Sequence, residues 1–184
     1  MVDPEFELIE ATARGNPEGF ERLVRRYQDP LCNFIARHIG DRGAAEDLTQ
    51  EVFLRVYQAA PRFDPKGRVS SWIFKIAYNL SMNELKRRKH LQGLLRDTAD
   101  IAYKCTGSTS SGSIPDQELE EELMAAMHDL GEDQRAALLL RVQEDLSYRE
   151  IAEVLGTTVQ SVESLLFRAR QRMRINFGRG KRIG

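Results

Sequence analysis

Apolar residues recur along this 184-residue chain at steps of three and four, and no segment alternates strictly between apolar and polar positions. That period belongs to amphipathic helices, so the chain reads as all-α. A short helix is expected over about residues 3–14. Asn16-Pro17 then has the form of a helix start, with Asn as cap and Pro in the first turn. The row Phe20, Leu23, Val24, Tyr27, Leu31, Phe34 and Ile35 carries this second helix to about 39. Gly40-Asp41-Arg42-Gly43 marks a turn, and a third helix is expected over about 44–59, with Ala45, Leu48, Val52 and Val56 inward. Pro61 to Val69, with Asp64-Pro65 and Gly67, reads as loop. A fourth helix is expected to begin at Ser70, to bury Ile73, Ile76, Ala77, Leu80 and Met82 or Leu85, and to end in Lys86-Arg87-Arg88-Lys89.

Past residue 90 the pattern lapses. Residues 91–116 include TGSTSSGSIPD, rich in Ser, Thr and Gly and poor in core residues, and read as a flexible linker. Helical spacing resumes over about 117–130, marked by Leu119, Leu123, Met127 and Leu130, and over 133–144, marked by Ala137, Leu138 and Val142. Glu118, Glu120, Glu121 and Glu122 suit a helix start through the macrodipole. The expected architecture is two small all-helical domains, 1–90 and 117–184, joined by the linker 91–116.

The segment 147–173, SYREIAEVLGTTVQSVESLLFRARQRM, carries the most information. Ser147 and Glu150 fit a capping box. Ile151, Val154 and Leu155 then share a face, Ala152 is small enough for a close helix crossing, and Gly156 can adopt the left-handed conformation that ends a helix. Thr157 and Gln160 repeat the capping pattern, so a second helix is expected from about 158, with Val159, Val162, Leu166, Ala169 and Met173 inward. Its other face carries Glu163, Ser164, Phe167, Arg168 and Gln171. Helix, tight turn and helix with a basic outer face describe a helix-turn-helix unit, whose second helix enters the DNA major groove. An ordinary helical hairpin in a bundle is the alternative.

Composition changes this picture little. A hydrophobic content of 41% with 30% charged residues is ordinary for a globular protein. No apolar run approaches 18 residues, so no membrane span is expected, and the acidic start MVDPEFELIE lacks a signal-peptide core. A cytoplasmic location is the expectation. Cys32 and Cys105 lie far apart with no metal-ligand spacing and read as free thiols. The net charge of −1 conceals segregation. Residues 1–90 hold 15 Lys and Arg against 13 Asp and Glu, residues 117–150 hold 3 against 10, and residues 168–182 hold 7 against none. Local basic segments are the footprint of nucleic-acid binding. The acidic stretch would repel DNA, so it should face away from it or toward a basic partner.

Between residues 63 and 89, Phe63, Trp72, Phe74 and Tyr78 are interleaved with Lys66, Arg68, Lys75 and the basic run 86–89. Single-stranded nucleic acid is held by such mixtures, cations tracking phosphates and rings taking unstacked bases. The rings could equally be core and the basic run a solvated helix end. The helix at 45–54 has an acidic outer face and an exposed-looking Phe53, which suits either plain solvation or docking of a partner protein. No catalytic constellation is evident. His38, His90 and His128 are isolated, and glycine-rich phosphate loops and nucleophile elbows are missing. No cofactor or metal is expected.

Three segments in this order, AEDLTQEVFLRVY (45–57), FDPKGRVSSWIFKIAYNLSMNELKRR (63–88) and LSYREIAEVLGTTVQSVESLLFRARQRMR (146–174), resemble the extracytoplasmic-function sigma factors of bacteria, over roughly 17–90 and 117–175. The resemblance implies a transcription initiation factor that joins core RNA polymerase, selects promoters and helps melt them. Asp47, Gln50, Glu51, Phe53 and Leu54 would dock on the β′ clamp coiled coil, and the second domain would meet the β flap. Phe63, Lys66, Arg68, Trp72, Lys75 and Asn79 would recognise and melt the −10 element, with Lys86, Arg87 and Arg88 on adjacent phosphates. Ser161, Glu163, Ser164, Phe167, Arg168 and Arg172 would read the −35 element. Members of this family are commonly held inactive by an anti-sigma protein, which is therefore an expected partner. The chain departs from the family at Glu163 and Leu165, where basic residues are common. Two other functions fit parts of the sequence: a stand-alone helix-turn-helix regulator, and an enzyme acting on nucleic acid, for which no acid-base or metal cluster is present.

Overall fold

A computed structural model describes residues 5–64, 67–96 and 122–180. Among them are eight α-helices and no strand: α1 Phe6–Ala13, α2 Pro17–Ile39, α3 Arg42–Ala59, α4 Val69–Arg96, α5 over 122–128, α6 Glu132–Val142, α7 Tyr148–Leu155 and α8 Val159–Gly180, with a single 3₁₀ turn at Ala60–Arg62. The expected all-α architecture is observed. Lys66, Cys105, Glu118, Leu119, Glu120, Glu121 and the segment 106–116 lie outside the described residues.

Local chemistry sets most of the boundaries. Asn16 accepts from the Glu18 N–H at 2.9 Å and starts α2, with Pro17 in the first turn. Pro30 lies inside α2 without ending it, because Tyr27, Leu31 and Phe34 are buried on either side of it. Gly40, at φ 74°, closes α2, and Asp41 at once caps α3 by accepting from the Ala44 N–H at 3.0 Å. The turn is thus two residues rather than four, and α3 begins at Arg42 instead of near 44. Helix α4 starts at Val69, one residue before Ser70, and runs to Arg96, past the position where the apolar pattern stops.

Helices α1–α4 enclose Leu23, Leu31, Phe34 and Ile35 of α2, Val52 and Val56 of α3, and Ile73 and Phe74 of α4. Phe74 meets the Phe34 ring edge-on at 5.5 Å. The Tyr27 hydroxyl and Arg26 both engage Glu5 and pin the start of α1. Helices α5–α8 enclose Ala136, Leu140, Leu146, Ile151, Val162 and Leu166. On α6, Ala137 is buried as expected and Leu138 is half-buried, but Val142 is not inward. Val142 is 70% exposed, and the buried residues are Arg135, Ala136, Ala137, Leu139 and Leu140.

The two helix groups pack together, α6 against α2 and α7 against α4. Arg135, 8% exposed, joins them. Its guanidinium donates to the His38 carbonyl at 2.7 Å, at the end of α2, and to the carbonyls of Met127, His128 and Leu130 at 2.9, 3.0 and 3.2 Å, where α5 ends. Helix C-termini present carbonyls without intrahelical partners, and the dipole there favours a cation. His38 is fully buried beside this contact, stacked between Phe34 and Tyr78 with centroids 5.6 and 5.9 Å away. Its Nε2 lies 3.2 Å from the Glu132 carbonyl, and its Nδ1 has no hydrogen-bond partner among the described residues. Burial and the neighbouring Arg135 pull the imidazole pKa down to about 4.

A base whose pKa is lowered by folding is protonated more readily in the unfolded chain, so stability falls as pH drops from the ordinary histidine value near 6.5 toward 4. This group alone should remove about 2 kcal/mol by pH 5. Urea denaturation at pH 7.5 and 5 should show a larger loss for the wild-type chain than for His38→Gln. Equal losses in the two proteins would contradict the assignment.

Candidate nucleic-acid interface

Three surfaces carry the residues singled out in the sequence. On α3, Asp47, Gln50 and Leu54 recur at helical spacing and are exposed, with Leu54 at 57%. Glu51 is half-buried and paired with Arg55 at 2.7 Å. Phe53 does not belong to this outer face. It is 7% exposed, edge-on to Phe20 with centroids 6.3 Å apart. The exposed ring is instead Tyr57, 49% exposed and also edge-on to Phe20, at 5.2 Å. Spacing could have found it, since Tyr57 follows Leu54 by three positions and Gln50 by seven.

The second surface follows the chain from Phe63 into α4. Phe63 packs on Trp72 with centroids 4.8 Å apart, and both are half-buried. They brace the loop between the 3₁₀ turn and α4. Val69 is fully buried at the helix start and anchors that end of the loop. Phe74 and Tyr78, the other two rings of this stretch, are buried. Along α4, Trp72, Lys75, Asn79 and Lys86 fall on one face, and the last three are exposed. Arg87 is exposed and bonded twice to Glu84 at 2.8 Å. Arg88 is half-buried, held by Glu84 at 2.6 Å and Asp41 at 2.9 Å. The hydrogen bonds from Arg87 and Arg88 hold the Glu84 carboxyl down at about 2. Arg68, exposed at the loop's end, pairs with Glu150 of α7 at 3.2 Å.

The third surface is the helix-turn-helix. The first capping box forms as expected: Glu150 accepts from the Ser147 N–H at 2.7 Å, and Ser147 accepts from the Glu150 N–H at 3.3 Å. Gly156 is left-handed at φ 66°. The second cap is one residue later than expected. The Thr157 N–H returns to the Ala152 carbonyl at 2.9 Å and completes the end of α7, so Thr158 accepts from the Ser161 N–H at 3.2 Å and starts α8. Val162, Leu166 and Ala169 are buried, whereas Val159, expected inward, is 38% exposed. Glu163, Ser164, Phe167 and Arg168 are exposed, Phe167 at 67%. Ser161 is half-buried beside the Thr158 hydroxyl. Arg172 is exposed but donates to the Asp129 carbonyl at 3.0 Å, tying α8 to the end of α5.

A braced loop leading into a helix that shows a ring, cations and an amide, together with a free helix-turn-helix face, is equipped to hold nucleic acid at two places. Among the described residues there is no group of His, Cys, Asp and Glu that could hold a metal, and no helix long and apolar enough to cross a membrane.

The pattern of Sigma-70 region 2 matches residues 23–91, and that of Sigma-70, region 4 matches residues 120–173. The RNA polymerase sigma-H factor of Pseudomonas aeruginosa is 34% identical over 172 residues, covering 90% of this chain and 89% of that protein. The chain belongs to the extracytoplasmic-function group of sigma-70 factors. The ECF RNA polymerase sigma-E factor of Haemophilus influenzae is 31% identical over 171 residues, 89% of this chain and 90% of that one. Two solved structures share the fold of this sigma factor. CnrH in complex with the cytosolic domain of CnrY has a TM-score of 0.71 at 24% identity and covers 96% of this chain and 98% of that one. The sigma factor RpoE of Bartonella quintana, in complex with the anti-sigma factor NepR, has a TM-score of 0.70 at 22% identity and covers 86% and 96%. As a sigma factor, the protein is an alternative transcription initiation factor that joins core RNA polymerase and directs it to specific promoters.

The α3 surface separates support from display. Phe53→Ala should lower folding stability by about 3 kcal/mol, the usual loss for a buried ring. Leu54→Ala should stay within about 0.5 kcal/mol of the parent, as exposed positions do. Urea denaturation checks both, and a large loss at Leu54 would overturn the placement.

Proposed function

We propose that the two helix groups divide promoter recognition, residues 1–90 acting as the region 2 domain and 117–184 as the region 4 domain. Asp47, Gln50 and Leu54, with Glu51 at their edge and Tyr57 added, dock on the β′ clamp coiled coil, and Phe53 supports this face from beneath. Phe63 and Trp72 shape the pocket that takes a flipped −10 base, Asn79 contacts a neighbouring base, and Arg68, Lys75, Lys86 and Arg87 hold phosphates. Lys66 joins them by family resemblance. Arg88 contributes less, because Asp41 and Glu84 already hold it. Ser161, Glu163, Ser164, Phe167 and Arg168 read the −35 element. Arg172 reinforces the frame of α8 and reaches phosphate from there. The second domain meets the β flap, and an anti-sigma protein controls access to the polymerase-binding surfaces.

The observation that carries this reading is the outward row of ring, cation and amide on α4 beside a helix-turn-helix whose recognition face is free. Melting a duplex costs about 1.4 kcal/mol per base-pair step, more than a few surface contacts offset without polymerase holding the register. The work is therefore binding rather than catalysis, and its place is the cytoplasm, where polymerase and promoter are. Reconstitution with core polymerase tests it: promoter-specific initiation is expected. Tight specific promoter binding by the free chain, or repression of an existing holoenzyme without initiation, would overturn it.

Glu163 sets the −35 preference apart. A carboxylate accepts from cytosine N4 and cannot donate to guanine O6 and N7. In transcription from a promoter library by reconstituted holoenzyme, Glu163→Arg should change the preferred −35 bases. Arg168→Ala should lower output roughly uniformly across sequences, as loss of a phosphate contact does. An unchanged preference in the first variant would move this face of α8 away from the bases.

A further inference from the structure

Helix α1 lies ahead of the residues that match Sigma-70 region 2, which begin at 23. Eight residues cannot hold a helix by themselves, so its order comes from what it touches. Two contacts lock it on α2. A Cβ at Gly19 of α2 would stand 2.6 Å from that of Ala11, so only glycine allows the two helices to cross this closely. At the start of α1, Glu5 engages both Arg26 and the Tyr27 hydroxyl. Ile9 and Thr12 are buried along the same helix. From this fixed seat α1 packs on the 3₁₀ turn that leads to Phe63. The Phe6 ring tilts against the Phe63 ring with centroids 6.1 Å apart, and Phe63 in turn packs on Trp72 at 4.8 Å. Three half-buried rings thus run in one row from α1, through the loop, to the first turn of α4.

We propose that Phe6 is a positioning residue for −10 recognition, α1 acting as a buttress that sets, through the Phe63 ring, the shape of the pocket that Phe63 and Trp72 offer to a flipped base. This inference rests on the reading of Phe63 and Trp72 as that pocket. Phe6 needs no contact with DNA. Phe63 stands on a loop, and admitting a base beside Trp72 would part the two rings. Phe6, seated on a helix locked to α2, gives Phe63 a fixed reference while that happens. A site selects well when the side chains that form it are themselves held by packing from behind. One ring pair is worth a factor of about two to ten, so loss of Phe6 should blunt the choice of base without abolishing initiation.

The test is transcription of a promoter library, randomised in both elements, by core polymerase reconstituted with the full chain or a variant. Phe6→Leu should flatten the strongest single-base preference in the −10 element by about fivefold, and Phe6→Ala by more. Affinity for core polymerase and the −35 preference should stay within about twofold of the wild type, because neither surface shares a partner with Phe6. Phe6→Tyr, which keeps the ring, should keep the wild-type −10 preference. Ile9→Val is the control for a weakened α1: it removes a buried methyl, lowers stability and leaves the row of rings intact. If Phe6→Leu lowers total output with the −10 preference unchanged, or if Ile9→Val flattens that preference equally, Phe6 serves only the core and the proposal is overturned. Phe63→Ala separates this inference from the reading beneath it. If Phe63→Ala flattens the −10 preference and Phe6→Leu does not, the pocket stands and the buttress fails. If neither variant changes the preference, the pocket itself is misplaced and the proposal falls with it.

Discussion

Arg135 places its donors on backbone carbonyls rather than on a carboxylate, and those carbonyls end two helices from opposite halves of the molecule. A buried cation is costly unless its hydrogen bonds are satisfied, and carbonyls at helix ends are costly unless something bonds to them. Each need answers the other. The consequence is positional. Once the guanidinium is fixed between the last turn of α2 and the end of α5, α6 must leave from that point with its first-turn acids against α2 and α4. The helix-turn-helix then follows with α7 on the flank of α4. His38, stacked between Phe34 and Tyr78 and touching the Glu132 carbonyl, fills the remaining space.

This arrangement explains why a chain of nearly balanced charge serves as a nucleic-acid binder. The acidic and basic segments are not averaged over the surface. The acids at the starts of α6 and α7 meet Tyr78 and Lys89 of α4 and Arg68 just before it, while the outer row of α4 and the exposed face of α8 carry cations into solvent. These two faces are therefore much more basic than the net charge of −1 suggests.

Much of the fold was legible because local chemistry and helical period agreed. The Asn16-Pro17 start, the Gly40 stop, the Ser147–Glu150 box and the left-handed Gly156 all stand where the sequence placed them. Two of the misplacements share a cause, a tertiary contact overriding a local preference. Phe53 was read as exposed because α3 is polar around it, but Phe20 of α2 covers it. On α6 the apolar spacing marked Ala137, which is buried, but could not mark Arg135, whose burial comes from partners distant in sequence. The Thr158 cap was missed by one residue because Thr157 is used to finish the preceding helix. The three candidate surfaces coincide with motifs in the sequence. The pairing of one surface with acids of the other half was not legible, since no period or spacing encodes a contact between Arg68 and Glu150.

The chain has one tryptophan, and it stands in the first turn of α4, half-buried against Phe63 of the preceding loop. Indole emission depends on the polarity and the stacking partners around the ring. The protein thus carries an intrinsic optical reporter at the point where, on the reading given above, a promoter base would enter. No label is needed to follow that event. Indole emission excited where tyrosine contributes little would come from this ring alone, so stacking of a base and release of DNA would be recorded in one spectral band.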